Sequence, residues 1–237
     1  RFKEAGDFTF LFVGNINLEE AKPLIETYLG GLPTINRKEN FQDIKLDRRK
    51  GNHKNVFEKQ LETPKATVIS VISGNCEYNL MNDLLMSMLS QTMDMVYTET
   101  IREKEGASYG VSTFGQISRY PKNEAVYQIV FNTDPAKREK MEQIVMTELQ
   151  KVTQEGPRPE HLAKVKEFLL KEHTENAKEN SYWTSQLTQY YWYNIDMNTN
   201  YEKLVNEITA EDVKNFAKAL LDQGNIIEVT MTAEGTK

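Results

Sequence analysis

The chain has 237 residues, 39% hydrophobic and 27% charged, and 29 Lys plus Arg against 35 Asp plus Glu leave a net charge of −6. This is an ordinary globular balance, enough for one large domain or a domain with part of another, and it excludes the basic field of a nucleic-acid binder. No apolar run reaches the length of a membrane span, the opening residues lack a signal peptide's charged-then-apolar order, and the lone Cys76 has no internal disulfide partner.

Residues 7–14 alternate and then run apolar, so the pattern predicts a buried strand ending at Gly14. Asn17 is placed to cap a helix with Glu19 and Glu20 in its first turn. That helix carries Ala21, Leu24, Ile25 and Tyr28 on one face and ends at Gly30-Gly31, with Pro33 beyond. Residues 34–50 are polar and charged and read as a linker. Their Arg48-Arg49-Lys50 run reads as a solvated surface.

A short strand is expected over 56–61, and a clearer one over 66–73, which is β-branched, apolar and bounded by Pro64 and Gly74. From residue 78 to about 105 a long helix is predicted, because Met81, Leu84, Leu85, Met88, Leu89 and Val96 recur at three- and four-residue spacing. Five Met between Met81 and Met95 read as flexible core filling rather than as a soft-metal face. Residues 109–118 and 125–131 form a predicted antiparallel pair around a turn at 119–123. Helices follow from Pro135 to about 155 and from Pro159 to about 179. Residues 181–193 hold Tyr182, Trp183, Tyr190, Tyr191, Trp192 and Tyr193, read either as an amphipathic helix packing into the core or as the wall of a peptide cavity, with core packing favoured. Thr209 and Asp212 make a capping-box start for the last helix, and 226–232 is a closing strand. The order predicts an α+β fold, a largely antiparallel sheet with helices packed on one face.

The stretch from Thr100 to Gly110 is a helix-to-strand corner with Arg102 near the helix end, Gly106 between, and Tyr109 opening the strand. A permanent forked donor and an amphipathic hydroxyl seven residues apart could converge on one peptide carbonyl. The plainer reading is a Gly-terminated helix with a basic last turn, then an ordinary strand Tyr. His53, His161 and His173 are the only histidines. Glu160-His161 supplies the last two letters of H-x-x-E-H, but Pro157 stands at the first, so no metal ligand set is assigned. No nucleophile elbow, phosphate loop or dinucleotide fingerprint is present, and no catalytic constellation is complete.

Several stretches together resemble the pitrilysin family of zinc peptidases. Residues 10–15, the helix 21–28 and Leu29-Gly30-Gly31-Leu32-Pro33 look like its recurrent strand–helix–GxLP unit. Residues 101–111 are similar to the Arg-(six residues)-Tyr corner of the family's C-terminal half, and 156–162 and 208–213 fit its helix starts. The resemblance implies the C-terminal, non-metal half of a zinc endopeptidase, in which Arg102 and Tyr109 would contact substrate and the transition state. Zinc would belong to an N-terminal half, on the same polypeptide or a sister subunit, and the isolated chain would be inactive. The implied substrate is a peptide or small unfolded protein; the alternative is a non-catalytic subunit binding peptide or a partner. Residues 1–33 would be the tail of a preceding α+β domain and 51–237 a C-terminal domain without the zinc site. Relatives of this layout also point to the periplasm or cell envelope, with the cytoplasm open.

Overall fold

A computed structural model describes residues 4–35, 40, 42–104 and 110–235, of which 102–104 are described in backbone only. The chain packs as two compact units, one of residues 1–46 with 172–199 and the other of 47–171 with 200–237.

The larger unit is built on a five-stranded sheet: β1 (Asn52–Lys59), β2 (Ala66–Asn75), β3 (Val111–Ser118), β4 (Glu124–Thr133) and β5 (Asn225–Ala233) in the order β1-β5-β2-β4-β3. Only β1 with β5 is parallel; the other three pairings are antiparallel. Alternation along β2 sends Ala66, Val68 and Ile72 to the sealed side, level with Thr133, Phe131 and Tyr127 of β4. Helices cover that side. The helix α2 (Leu80–Tyr97) buries Leu84, Leu85, Met88, Leu89, Met93 and Val96, so the methionine stripe is core. Met81 alone stays at the rim, exposed. The helices α3 (Arg138–Glu155) and α7 (Ala210–Leu221) add Val145, Leu149, Val213 and Ala217. The short α6 (Tyr201–Glu207) adds Val205. Thr209 and Asp212 close the expected capping box on α7, and their hydrogen bonds hold the Asp212 carboxyl below its usual range. Gly115 of β3 lies so close to α2 that a Cβ there would overlap Met86 and Ser90.

Four charges sit at the sheet's β1 end. Lys54 Nζ reaches Glu142 Oε2 and Glu228 Oε1, each at 2.6 Å, and Arg138 Nη1 lies 3.3 Å from Glu142 Oε1. Thr230 Oγ1 donates to the same Glu142 oxygen at 3.2 Å. Edge strand, neighbour strand and α3 are thereby joined by one ion-pair cluster, to which Glu139 adds a carboxylate 3.0 Å from Arg138 Nη2.

The smaller unit departs from expectation twice. Residues 8–13 form no strand, and Phe8, Phe10 and Phe12 are exposed. A strand exists by the ladder of its neighbours, and no described residues supply one to this segment. The helix α5 (Asn180–Tyr193) buries none of its aromatic residues, so the core-packing reading of that cluster fails within this chain. The helix α1 (Leu18–Tyr28) is capped by Asn17 as expected, yet it also buries nothing. The helix α4 (Pro159–Asn176) has its first residues in the larger unit and its last in the smaller.

Candidate functional site

The corner singled out by the sequence begins where α2 ceases to be α-helical. The Thr98 N–H is shared between the carbonyls of Asp94 and Met95, and the chain widens into a π-helical turn, Thr98–Lys104. Such widenings are uncommon and recur at functional sites. Fully buried Ile101 anchors the turn. Asp94 Oδ1 accepts the Thr113 N–H of β3 at 2.9 Å, and Thr113 Oγ1 donates to the Ser90 carbonyl at 3.0 Å. The helix end and the strand start are therefore tied together a few residues from the turn. Burial pushes the Asp94 carboxyl up, against the lowering effect of the Thr113 bonds.

Glu99, on the same turn, grips the start of α4. It pairs with Arg158, and its Oε1 lies 2.8 Å from His161 Nε2. The same nitrogen lies 2.9 Å from Arg158 Nη2, so it faces one group that only accepts and one that only donates. The Arg158 guanidinium holds the Glu99 carboxyl below its usual range, and His161 acts in the same direction. His161 is 1% exposed and its Nδ1 meets no hydrogen-bond partner among the described residues. With one nitrogen committed and the other enclosed, the ring is a strut between α4 and the turn. These partners lie 59 and 62 residues apart, and nothing local in the sequence marks them.

Arg102 belongs to the π-helical turn. Its side chain, and Tyr109 as a whole, lie outside the described residues, so the expected meeting of the pair carries forward as a proposal. The histidines do not converge: His53 is on β1, where Nε2 lies 2.7 Å from the Lys50 carbonyl, and His173 meets the Tyr182 hydroxyl at 3.1 Å in the smaller unit. Among the described residues no three His, Cys, Asp or Glu side chains group to hold a metal ion. The described residues do not fit zinc.

The sheet offers a second surface. On the side away from the helices, Ile69 lies level with Val130 and Val229, and Val71 with Gln128 and Ile227. All six are only half-buried, and Phe114 beside Gln128 on β3 is exposed. One face of the sheet is sealed, and the other is an apolar wall.

Residues 1–169 match the family profile described as the Peptidase M16 inactive domain. The zinc protease PQQL-like of Arabidopsis thaliana is 24% identical over 208 residues, 80% of this chain and 21% of that protein. Among solved structures, the periplasmic protease PqqL from Escherichia coli superposes with a TM-score of 0.79 at 17% identity, over 93% of this chain and 25% of that one. A protease from Helicobacter pylori superposes at 0.75 with 16% identity, over 92% of this chain and 53% of that one. The chain thus spans between about a fifth and a half of the length of these relatives.

Proposed function

The chain belongs to the pitrilysin, or M16, peptidase family through its inactive domain, and on that premise we propose that it is the non-metal half of a zinc-dependent endopeptidase, closing a chamber around a peptide or small unfolded protein. The observation that carries this reading is the half-open sheet, whose bare apolar face suits the wall of a chamber. Zinc and the general base would come from an N-terminal half, on the same chain or a sister subunit. Arg102 and Tyr109 would stabilise the oxyanion from this side, where preorganised donors count most. Residues 1–33 would complete a preceding domain, 34–50 link, and 51–237 form the C-terminal domain. The periplasmic location of the Escherichia coli neighbour supports the same compartment here.

In the two-half protein, Arg102→Ala is expected to lower kcat about 100-fold and Tyr109→Phe about tenfold, with zinc content unchanged. Wild-type rates in both variants would overturn the assignment. The isolated chain is expected to cleave nothing and bind no zinc tightly; one stoichiometric zinc on it would overturn the division of labour.

A second reading, a non-catalytic subunit that binds peptide or a sister subunit, is favoured by α5, where Trp192 is 74% exposed on a helix that buries nothing.

A further inference from the structure

The Arg48-Arg49-Lys50 run stands just before β1 but is remote in sequence from β2, β4 and β5. In the fold it lines a cleft of about 250 Å³ with Lys122, Glu124, Ser73 and Asn225. Ser73 is paired with Val126 and Asn225, and Asn75 with Glu124, so these residues mark one end of the sheet. By strand alternation Ser73, Asn75 and Asn225 share the open face with Ile69, Val71 and Val229. Two residues along β2, about 6.6 Å, separate Ser73 from Val71 and the apolar wall. The open face is therefore apolar in the middle, with the basic cleft at one end and the hydrogen-bonded Thr67 and Asn132 at the other.

The charge at that end is unbalanced. Arg48 pairs with Glu124, and Lys122 pairs with Asp47 and lies 3.5 Å from Glu124. Four cations thus meet two carboxylates, in a chain whose overall charge is −6. Arg49 and Lys50 are both exposed, and among the described residues neither side chain has an ion-pair partner. The Asn225 amide beside them is spent: its Oδ1 accepts the Gly51 N–H at 2.9 Å, and its Nδ2 donates to the Ser73 carbonyl at 3.2 Å. What the cleft has left over is positive charge on two long donors.

We propose that this cleft is a carboxylate subsite, in which Arg49 and Lys50 take the anionic end of an extended peptide whose apolar residues lie along the open face of the sheet. A guanidinium presents its donors as a fork that matches a carboxylate, and an ammonium adds an undirected charge beside it. The inference rests on the peptide-contact role proposed above and adds a preference to it. The carboxylate could be a chain terminus or an acidic side chain; both present the same two oxygens.

The test uses the 237-residue chain and a fluorescent apolar octapeptide ending in Glu with a free C-terminus. Three companions carry a C-terminal amide, Gln for Glu, or both changes. The expected result is binding of the acidic probe about tenfold tighter than the doubly neutral one. That preference should shrink as salt rises and vanish in Arg49→Ala/Lys50→Ala. Loss of the preference with the amide alone identifies the terminus as the ligand, and loss with Gln alone identifies the side chain. The double variant should melt where the wild type does, since neither side chain holds an ion pair among the described residues. Equal affinity for all four probes, or a preference that survives the double substitution, would overturn the subsite and leave the open face as a peptide wall. No binding of the acidic probe at millimolar concentration would overturn it too. The peptidase reading is judged separately, by kcat of the Arg102 and Tyr109 variants in the two-half protein.

Discussion

The two units of this chain spend similar side chains to opposite effect. In the larger, α2 buries ten of its residues against a sheet. In the smaller, α1 and α5 bury none, although they carry Leu24, Ile25, Trp183 and Trp192. The difference lies in what the helices face, because an apolar stripe stabilises only when another layer covers it. The larger unit owns its layer. The smaller holds α1, α5 and an extended Phe-rich segment without ladder partners among the described residues, so its apolar side chains stay exposed. The larger unit's open sheet face is the better candidate for a surface that works.

The sharpest way to break that contrast is one truncation in each unit. Leu89 is fully buried on α2, and Leu24 of α1 is 58% exposed. Leu89→Ala is expected to cost about 3 kcal/mol in urea unfolding, the sum of lost transfer and a cavity. Leu24→Ala should stay within about 0.5 kcal/mol. Equal costs would show that α1 has a cover of its own and end the comparison.

The sheet was legible because its signals are local. The β-branched apolar run over 66–73, bounded by Pro64 and Gly74, and the turn between 118 and 124 specify β2, β3 and β4 without tertiary help. The Thr209–Asp212 box specifies the start of α7 in the same way. Burial in the smaller unit was misread for a related reason. Residues 7–14 have a strand's pattern and α5 has a core's composition, but a pattern states only what would be buried if a partner came. The π-helical turn, the Glu99–His161–Arg158 strut and the basic cleft were invisible, since each is made by segments distant in sequence or by a backbone widening with no composition of its own. Arg102 and Tyr109 stand apart from both groups, legible only through the family's corner.

A smaller effect separates the larger unit's charged cluster from its apolar core. Removing Glu142, which is buried, leaves Lys54 with Glu228 alone and strands Thr230. Glu142→Leu is expected to cost about 2 kcal/mol, less than a fully buried broken pair because Lys54 is half-exposed and keeps one partner. Burial would lower the Lys54 ammonium, but hydrogen bonds to Glu142 and Glu228 outweigh it and hold the group above its ordinary 10.5. A raised cationic group stabilises fully below its unfolded value and loses that contribution as pH climbs through its folded one. Wild-type stability should therefore fall above pH 10.5, and Glu142→Leu should lose less over the same range. A variant falling just as steeply would remove Lys54 as the cause.

The smallest effect tests the smaller unit from within. Both tryptophans of the chain lie on α5, so tryptophan emission, excited beyond the tyrosine band, reports that unit alone. Trp183 is partly anchored, its Nε1 donating to the Ala177 carbonyl at 2.8 Å. Trp192 is the more exposed of the two. Trp192→Ala should change stability by no more than about 0.5 kcal/mol, while removing the component of emission that iodide quenches best. If α5 awaits a missing layer, the same tryptophan in the proposed two-half protein should be harder for iodide to reach than in the 237-residue chain. Equal quenching in both would make α5 a solvent-facing helix in its own right, and its aromatic face would cease to be evidence for a partner.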